Sequence, residues 1–401
     1  MKQAFEGVRV IDFTQVLSGP VATANMALLG ADVIKIEMKG IGDQTRNLMA
    51  EGEWALRGLG PVFVGFNCGK RSIALDLKND GAKKVVHKMI KSADVLAENF
   101  KPGVMKRLGL SYNDVKKIKP DIVYCSISGF GQEGPAATAG AYDGAIQAVS
   151  GLMSLTGTPE EGPIRIGFPV ADMTTGLTAS FAIASALYRR LATGRGQHLD
   201  VAMTDAVMSL ISFAINRYLI NGSEPQLLGN RSATMQTTTD VYETADGYIN
   251  ISVFTDHLIT PLCRGLGRPE WAEQERYQSE QSRVENRLEI YEELKDLIKT
   301  RPTDHWLENL RAEGVPAAPV LTVPQALKEA QVGRRDILRT LPAPDGIEGN
   351  ITIPGLGFMA SEGTPATDTP PPTLGQHTGE ILAEFGYSAE GIVALRECGA
   401  I

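Results

Sequence analysis

Asp172 lies in the stretch Ile166-Gly-Phe-Pro-Val-Ala-Asp-Met-Thr-Thr-Gly176, where an extended, proline-containing segment runs into a long apolar run that predicts a helix. A carboxylate at a helix start sits among backbone N–H groups without intrahelical partners and at the positive end of the helix dipole. It is therefore expected to stay ionised and to face an acyl group docking there. A carboxylate nucleophile would be presented in this way. The same position suits a plain N-cap, for which Asp is among the preferred residues, and the residues alone leave both readings open.

Glu37 closes a predicted strand at the place where a dinucleotide fold holds ribose hydroxyls. The loop before it, Thr14-Gln-Val-Leu-Ser-Gly-Pro-Val21, carries one glycine instead of G-x-G-x-x-G. Bulky Leu17 and donor-less Pro20 oppose the close backbone approach a pyrophosphate needs, so a nicotinamide cofactor is not expected. Cys68, Cys125, Cys263 and Cys398 show neither metal-ligand nor redox spacing and read as buried thiols. His87, His198, His257, His305 and His377 form no HExxH or paired cluster, so no metal site is expected.

Behind these residues stands an ordinary globular composition: 401 residues, 43% hydrophobic and 21% charged, which suits about two domains. With 39 basic against 47 acidic residues and no basic stripe, a nucleic-acid partner is not expected. An anionic ligand must be met by local positive groups rather than by the field of the whole molecule. Met1 to Phe13 enters a strand-like run without a charged and then apolar leader, and no run of 18 apolar residues occurs. A cytoplasmic location without a membrane partner is the expectation.

The elements that must position Asp172 begin with a βαβ unit: strand Val8 to Phe13, helix Pro20 to Leu29, strand Val33 to Glu37. Strand Ile73 to Leu77, a helix from Asp80 to Lys91, strand Val95 to Glu98, a helical stretch up to Ile118 and strand Ile122 to Ser126 continue it. Such alternation predicts a Rossmann-like, mostly parallel sheet with helices on both faces. Gly129 to Gly140 is a loop after a strand end, where open α/β sheets place ligands. Helices are predicted over Tyr142 to Leu155, Asp172 to Ala192 and Thr204 to Ile220, with a strand from His198 to Ala202. Beyond Asn221 the pattern changes to a β-hairpin, Asp240 to Glu243 and Tyr248 to Val253, turned by Thr244-Ala-Asp-Gly247. Helices at Arg283 to Thr300 and Thr303 to Glu313, a short strand Pro319 to Leu321 and a helix Val323 to Ala330 follow. Leu341 to Pro372, rich in Pro, Gly and Thr, reads as irregular chain, before terminal helices Thr378 to Phe385 and Ala389 to Cys398.

An ordered set of segments resembles the class III CoA-transferase family, which includes formyl-CoA transferase, carnitine CoA-transferase and the related α-methylacyl-CoA racemase. They are Gly7-Val-Arg-Val-Ile-Asp-Phe13, Gly19-Pro20, Leu29-Gly-Ala-Asp-Val-Ile-Lys-Ile-Glu37, Gly42-Asp43 and Asn67-Cys-Gly-Lys-Arg-Ser-Ile-Ala-Leu-Asp-Leu-Lys78. Further along come Glu98-Asn-Phe100 with Pro102-Gly103 and Arg107, Ser128-Gly-Phe-Gly131, Thr193-Gly-Arg-Gly196 and Gly375-Gln-His-Thr378. The order, from first strand to last helices, is more specific than any one motif.

The resemblance implies that Asp172 is the nucleophile, matching the family's Asp-x-x-x-Gly pattern through Gly176. It also implies CoA contacts at Val16, Leu17 and Ser18, at Leu75 and Lys78, at Asn99, Phe100 and Lys101, at Arg107 and around Tyr142. The loop backbone and Leu75 suit the adenine, Lys78 and Arg107 suit phosphates as charge-assisted donors, and Asn99 suits the pantetheine amides. For each basic residue the plain alternative is a solvated surface charge. CoA and acyl-CoA are thus substrates, with no tightly bound cofactor. The implied assembly is an interlocked homodimer, each protomer having a large CoA-binding α/β domain (1–200 with 325–401), a linker helix region (201–230) and a small α+β domain (231–324).

Formyl-CoA transferase carries Gln at the position of Leu17, Arg at Met38 and Lys at Gly140, and a glycine run where this chain has Asn230-Arg-Ser-Ala-Thr-Met-Gln-Thr-Thr-Thr239. The polar run 235–239 suits a small polar or dicarboxylic acceptor such as succinate, glutarate or a C5 relative, or a surface linker. A racemase would need a His with the Asp to move an α-proton. That position holds Tyr142, a poor base at neutral pH with an ordinary pKa of about 10. The expected activity is transfer of CoA from an acyl-CoA to a free carboxylic acid; a 2-methylacyl-CoA racemase and a non-catalytic CoA-binding protein are the alternatives.

Overall fold

A computed structural model describes residues 2–233, 235, 237–344 and 346–401. Its first layer grows from strand β1 (Arg9–Asp12), helix α1 (Ser18–Leu28) and strand β2 (Asp32–Met38). Strands β3 (Lys70–Leu75), β4 (Val95–Glu98), β5 (Val123–Ser128) and β6 (Gln197–Ala202) complete a six-stranded sheet ordered β3-β2-β1-β4-β5-β6. All pairings are parallel, with Ile11 opposite Ile34 on one side and Leu96 on the other. The strand order reverses at β1, and ligands of such sheets bind outside the carboxyl ends of the strands at that switch.

Alternation along the strands sends Val10, Val33, Val95 and Val123 to one core, with Ala22 and Met26 of α1 and Ala179 and Ile183 of a long later helix. Ile11, Ile34, Leu75 and Leu96 point the other way, packing with Val85, Val86 and Met89 of helix α2 (Asp80–Ile90). Covering both faces explains why these strands read as nearly continuous apolar runs. Strand β3 begins three residues before the predicted Ile73 because Lys70 and Ser72 are buried and paired within the sheet, which hides it from hydropathy.

Helices α3 (Val104–Leu108), α4 (Asp143–Val149), α5 (Val170–Thr193), α6 (Met203–Leu210) and α7 (Ser212–Asn221) follow in chain order. The helix predicted over 142–155 stops at Val149, and the one predicted over 204–220 breaks at Ile211. Residues 201–224, set apart above as a linker region, belong to the same compact unit as the sheet, because α6 packs along α5. This unit comprises residues 1–153, 165–224 and 331–401.

Residues 154–164 and 225–330 form the second compact unit. Its centre is an antiparallel sheet of β7 (Thr239–Glu243), β8 (Tyr248–Ser252) and β9 (Ala317–Pro319), over a core that includes Tyr242, Ile249, Ile251, Leu294 and Trp306. The hairpin expected at Thr244–Gly247 is there, and Asp246 in its turn accepts the Thr303 N–H at 2.8 Å, at the start of the helix Thr303–Ala312. Gln236 of the polar run 235–239, and Thr234 just before it, lie outside the described residues.

One stretch read as irregular chain is ordered. Strands β10 (Leu338–Pro342) and β11 (Asn350–Pro354) form a hairpin of the first unit, pairing Leu341 with Ile351. Leu341, Ile351 and Ile353 pack on Leu59, Phe63 and Val64. A proline at the end of each strand, and in the first strand apolar residues three apart rather than alternating, masked this hairpin among its Pro- and Gly-rich neighbours.

Candidate active site

At the carboxyl ends of β1, β4 and β5, one cavity of about 310 Å³ brings together Gln15, Val16, Ser18, Asn99, Phe100, Lys101, Ser128, Gly140, Tyr142 and Asp172. Asp172 lies in the first turn of α5 but is not its cap; the N-cap is Pro169, and no side chain of the cap residue bonds the helix. The helix N–H groups expected to be free are taken by Asp143 from the first turn of α4, whose Oδ1 accepts from Ala171 N at 2.8 Å and Asp172 N at 3.3 Å. The carboxylate of Asp172 shares its cavity instead with Ser18, whose hydroxyl and backbone N–H act to lower it.

Without those helix donors the anion is less stabilised than a helix start alone would make it. Burial, then the like charge of Asp143, pushes the Asp172 carboxyl up to about 6, against the pull of the Ser18 hydroxyl and N–H. At neutral pH such a group is still mainly ionised, yet it is more basic than a solvated Asp.

The β1–α1 loop meets Asp172 in an uncommon conformation. Val16 has φ +67°, a left-handed position that a β-branched residue adopts at a cost of about 1–3 kcal/mol. Three side chains pin the loop backbone: Lys35 Nζ donates to Thr14 O at 2.7 Å, Asp43 Oδ1 accepts from Val16 N at 3.2 Å, and Asn99 closes on Gln15. Asn99 uses both ends of its amide there, Oδ1 accepting from Gln15 N at 2.8 Å and Nδ2 donating to Gln15 O at 2.7 Å. Its amide, expected above to meet pantetheine, holds the loop in this structure.

A second, larger and more apolar cavity of about 600 Å³ adjoins the first along Gln15 and Phe100, which line both. Leu75 and Lys78 lie here, with Ile36, Met38, Val104 and Leu108. Arg107 lines neither; it is exposed on α3 between Val104 and Leu108, so it stands at the rim. Leu17 is 8% exposed, precedes α1 and contributes packing rather than a cavity wall. Tyr142, at the N-cap position of α4, is 73% exposed and reaches the first cavity beside Gly140.

Several residues that shape the site went unrecognised in the sequence. Asp143 is one, although Asp directly after Tyr142 at a predicted helix start is a usable capping signal. Glu98 is another: burial pushes its carboxyl up to about 7, against bonds from the Ser126 hydroxyl and the Phe100 N–H, the latter at 2.9 Å. Beneath the loop, Lys35 and Asp43 pair at 3.0 Å and Lys70 and Asp12 at 3.2 Å, all four side chains fully buried.

Comparison with known proteins defines the class. Residues 5–378 match the family model described as CoA-transferase family III, and the chain belongs to this family. It is 34% identical over 405 residues to human succinyl-CoA:glutarate CoA-transferase, covering 99% of this chain and 89% of that protein. It is 40% identical over 339 residues to acetyl-CoA:oxalate CoA-transferase of Acetobacter aceti, covering 84% and 86%. A crystal structure of a CAIB/BAIF family protein from Brucella suis superposes with a TM-score of 0.86 at 33% identity, covering 96% of this chain and 100% of that one. The protein is therefore an enzyme, a CoA-transferase that moves CoA from an acyl-CoA to a free carboxylic acid.

Proposed function

We propose that Asp172 is the covalent nucleophile of this transfer. The observation that carries the reading is a half-buried carboxylate, raised to about 6, inside the cavity it shares with Val16, Ser18, Asn99, Phe100, Lys101 and Tyr142. Asp172 attacks the thioester carbonyl; the C–S bond breaks, CoA leaves as thiolate, and an aspartyl acyl anhydride remains. The thiolate then attacks the aspartyl carbonyl, releasing the donor acid and forming an aspartyl-CoA thioester. The acceptor carboxylate attacks that carbonyl, giving a second anhydride and free CoA thiolate, which takes the acceptor acyl group and regenerates Asp172. Backbone N–H groups at the glycine-containing turns of the cavity wall, near Gly129 and Gly140, suit the oxyanion of each attack, and the enclosing walls limit hydrolysis of the anhydrides.

CoA would lie with its adenine in the larger apolar cavity by Leu75 and Lys78, phosphates toward Lys78 and the rim Arg107, and pantetheine past Phe100 toward Asp172. Val16, Leu17, Ser18, Asn99, Lys101 and Tyr142 complete the proposed CoA site, Leu17 and Asn99 through the loop they hold. The acceptor is proposed to be a small dicarboxylic acid, as named for the human and Acetobacter relatives.

A homodimer belongs to the same reading. Leu177, Phe181, Tyr188 and Leu191 project from one face of α5 and are exposed, as are Phe213, Leu219 and Ile220 of α7. By length and composition α5 is apolar enough to cross a bilayer, but one of its faces packs on α1 and α6. An apolar face this long beside a packed one suits a second copy of the chain, in the interlocked arrangement and in the cytoplasm.

The test is incubation with acyl-CoA donors and a panel of carboxylic acids, with mass detection of new CoA esters. Asp172→Asn should lower transfer roughly a thousandfold with the fold retained, since Asp143 rather than Asp172 caps α5. A variant keeping more than a few per cent of activity, with deamidation excluded, would remove Asp172 from the covalent role.

A further inference from the structure

The strained loop beside Asp172 is held in part by a charge shut off from the cavity. Asp43 Oδ1 accepts the Val16 N–H at 3.2 Å, and the same oxygen takes Thr45 N at 2.9 Å and Thr45 Oγ1 at 2.8 Å. Its other oxygen faces Lys35 Nζ at 3.0 Å, and Lys35 in turn donates to Thr14 O at 2.7 Å. Lys35 and Asp43 thus clamp the loop at Thr14 and Val16, with neither side chain open to solvent. Two residues beyond Val16, Ser18 lines the same cavity as Asp172, where its hydroxyl and N–H act to lower that carboxyl. Helix α5 is fitted closely to that spot, because a Cβ on Gly176 would fall 2.8 Å from Ser18 O and 2.5 Å from Val21.

From this chain of contacts we infer that Asp43, paired with Lys35, is a positioning residue for CoA transfer: it holds Val16 in the left-handed turn that aims both Ser18 donors at Asp172. The inference rests on Asp172 as nucleophile and adds what sets its orientation and basicity. A β-branched residue such as Val leaves such a turn unless something holds it there. A carboxylate buried with a single ammonium partner keeps its charge, so its bond to Val16 is charge-assisted. Without that bond the loop relaxes toward ordinary backbone, Ser18 moves off Asp172, and the carboxylate loses the two donors that oppose its upward shift.

The test is the pH profile of kcat for Asp43→Asn, with folding and oligomeric state checked by circular dichroism and light scattering. Expected are a drop in kcat of at least tenfold and an acid limb displaced to higher pH, since Asp172 becomes harder to ionise. Adding Val16→Gly to that variant should restore part of the rate, at least threefold, because glycine takes the turn without being held. A loss caused only by a weakened fold would move neither the limb nor the rate in the double variant. If Asp43→Asn does not accumulate folded, Thr45→Val, which removes one of the bonds orienting Asp43, should lower kcat by a few fold with the same limb shift. A folded Asp43→Asn, or in its absence Thr45→Val, with wild-type kcat and limb beside an inactive Asp172→Asn overturns the positioning role alone. An active Asp172→Asn overturns the nucleophile and, with it, this inference.

Discussion

Asp143 caps the helix that carries Asp172: one carboxylate oxygen accepts the N–H of Ala171 at 2.8 Å and that of Asp172 itself at 3.3 Å. A Gln147 amide, bonded to the other oxygen at 2.6 Å, keeps Asp143 in place. Two acidic side chains therefore share one helix terminus, and only one of them receives its backbone donors. The other is left more basic, and basicity raises the strength of an attacking carboxylate.

The pH dependence of turnover follows directly. Asp172 attacks as the anion, so kcat should rise with pH through an apparent pKa of about 6 and level off above it. Asp143→Asn, which keeps an oxygen for the cap but removes the like charge, should move this limb to lower pH. Initial rates of CoA-ester formation between pH 4.5 and 8 give both values; a limb near the usual carboxylate range, or one that rises in Asp143→Asn, contradicts the assignment.

Arg107 is expected to bind rather than to turn over. It is exposed at the cavity rim and makes no ion pair among the described residues. Arg107→Ala should raise KM for acyl-CoA roughly tenfold and leave kcat at saturation nearly unchanged, as loss of a contact made equally in ground and transition states does. Equal KM values for the two proteins would take Arg107 out of the site.

Glu98 predicts a stability effect with a definite sign. Its carboxyl rises from an ordinary 4.5 to about 7 in the folded protein. Between these values the folded state holds a proton that the unfolded state has lost, so stability falls as pH rises through this window. The full difference is on the order of 3 kcal/mol. Urea unfolding at pH 5 and pH 8 should therefore show a smaller loss at the higher pH for Glu98→Gln than for the wild type. The same pH dependence in both proteins would mean that Glu98 is not the group responsible.

Tyr142 separates transfer from racemisation. A 2-methylacyl-CoA incubated with the enzyme in deuterated solvent should keep its α-proton, because a phenol at this position is a poor base at neutral pH. Deuterium entering at a rate comparable with CoA transfer would assign the protein to the racemising branch.

Local pattern made much of this molecule legible in the chain. Strands at Val10, Val33 and Val95 show themselves because helices cover both faces of the sheet and demand apolar residues on both sides. The turn at Thr244–Gly247 is visible because few residues adopt its backbone, and Asp172 stands out because a proline-containing segment passes into an apolar helix there. Legibility ends where burial involves charge, as at Lys70, which begins a strand that hydropathy assigns to solvent, and where strands are short and end in proline, as in the hairpin of Leu341 and Ile351.

What only tertiary structure decided is the chemistry of Asp172. Its neighbours come from residue 18, where β1 passes into α1, and from residue 143, where α4 begins. The loop bearing Ser18 is held by Lys35 of β2 and by Asp43 and Asn99, which come from the chain beyond β2 and β4. An amino-acid sequence specifies that a carboxylate is present. Its proton affinity depends on how much water is excluded and which charges and donors lie within a few ångströms, and those distances exist only once the chain has closed on itself.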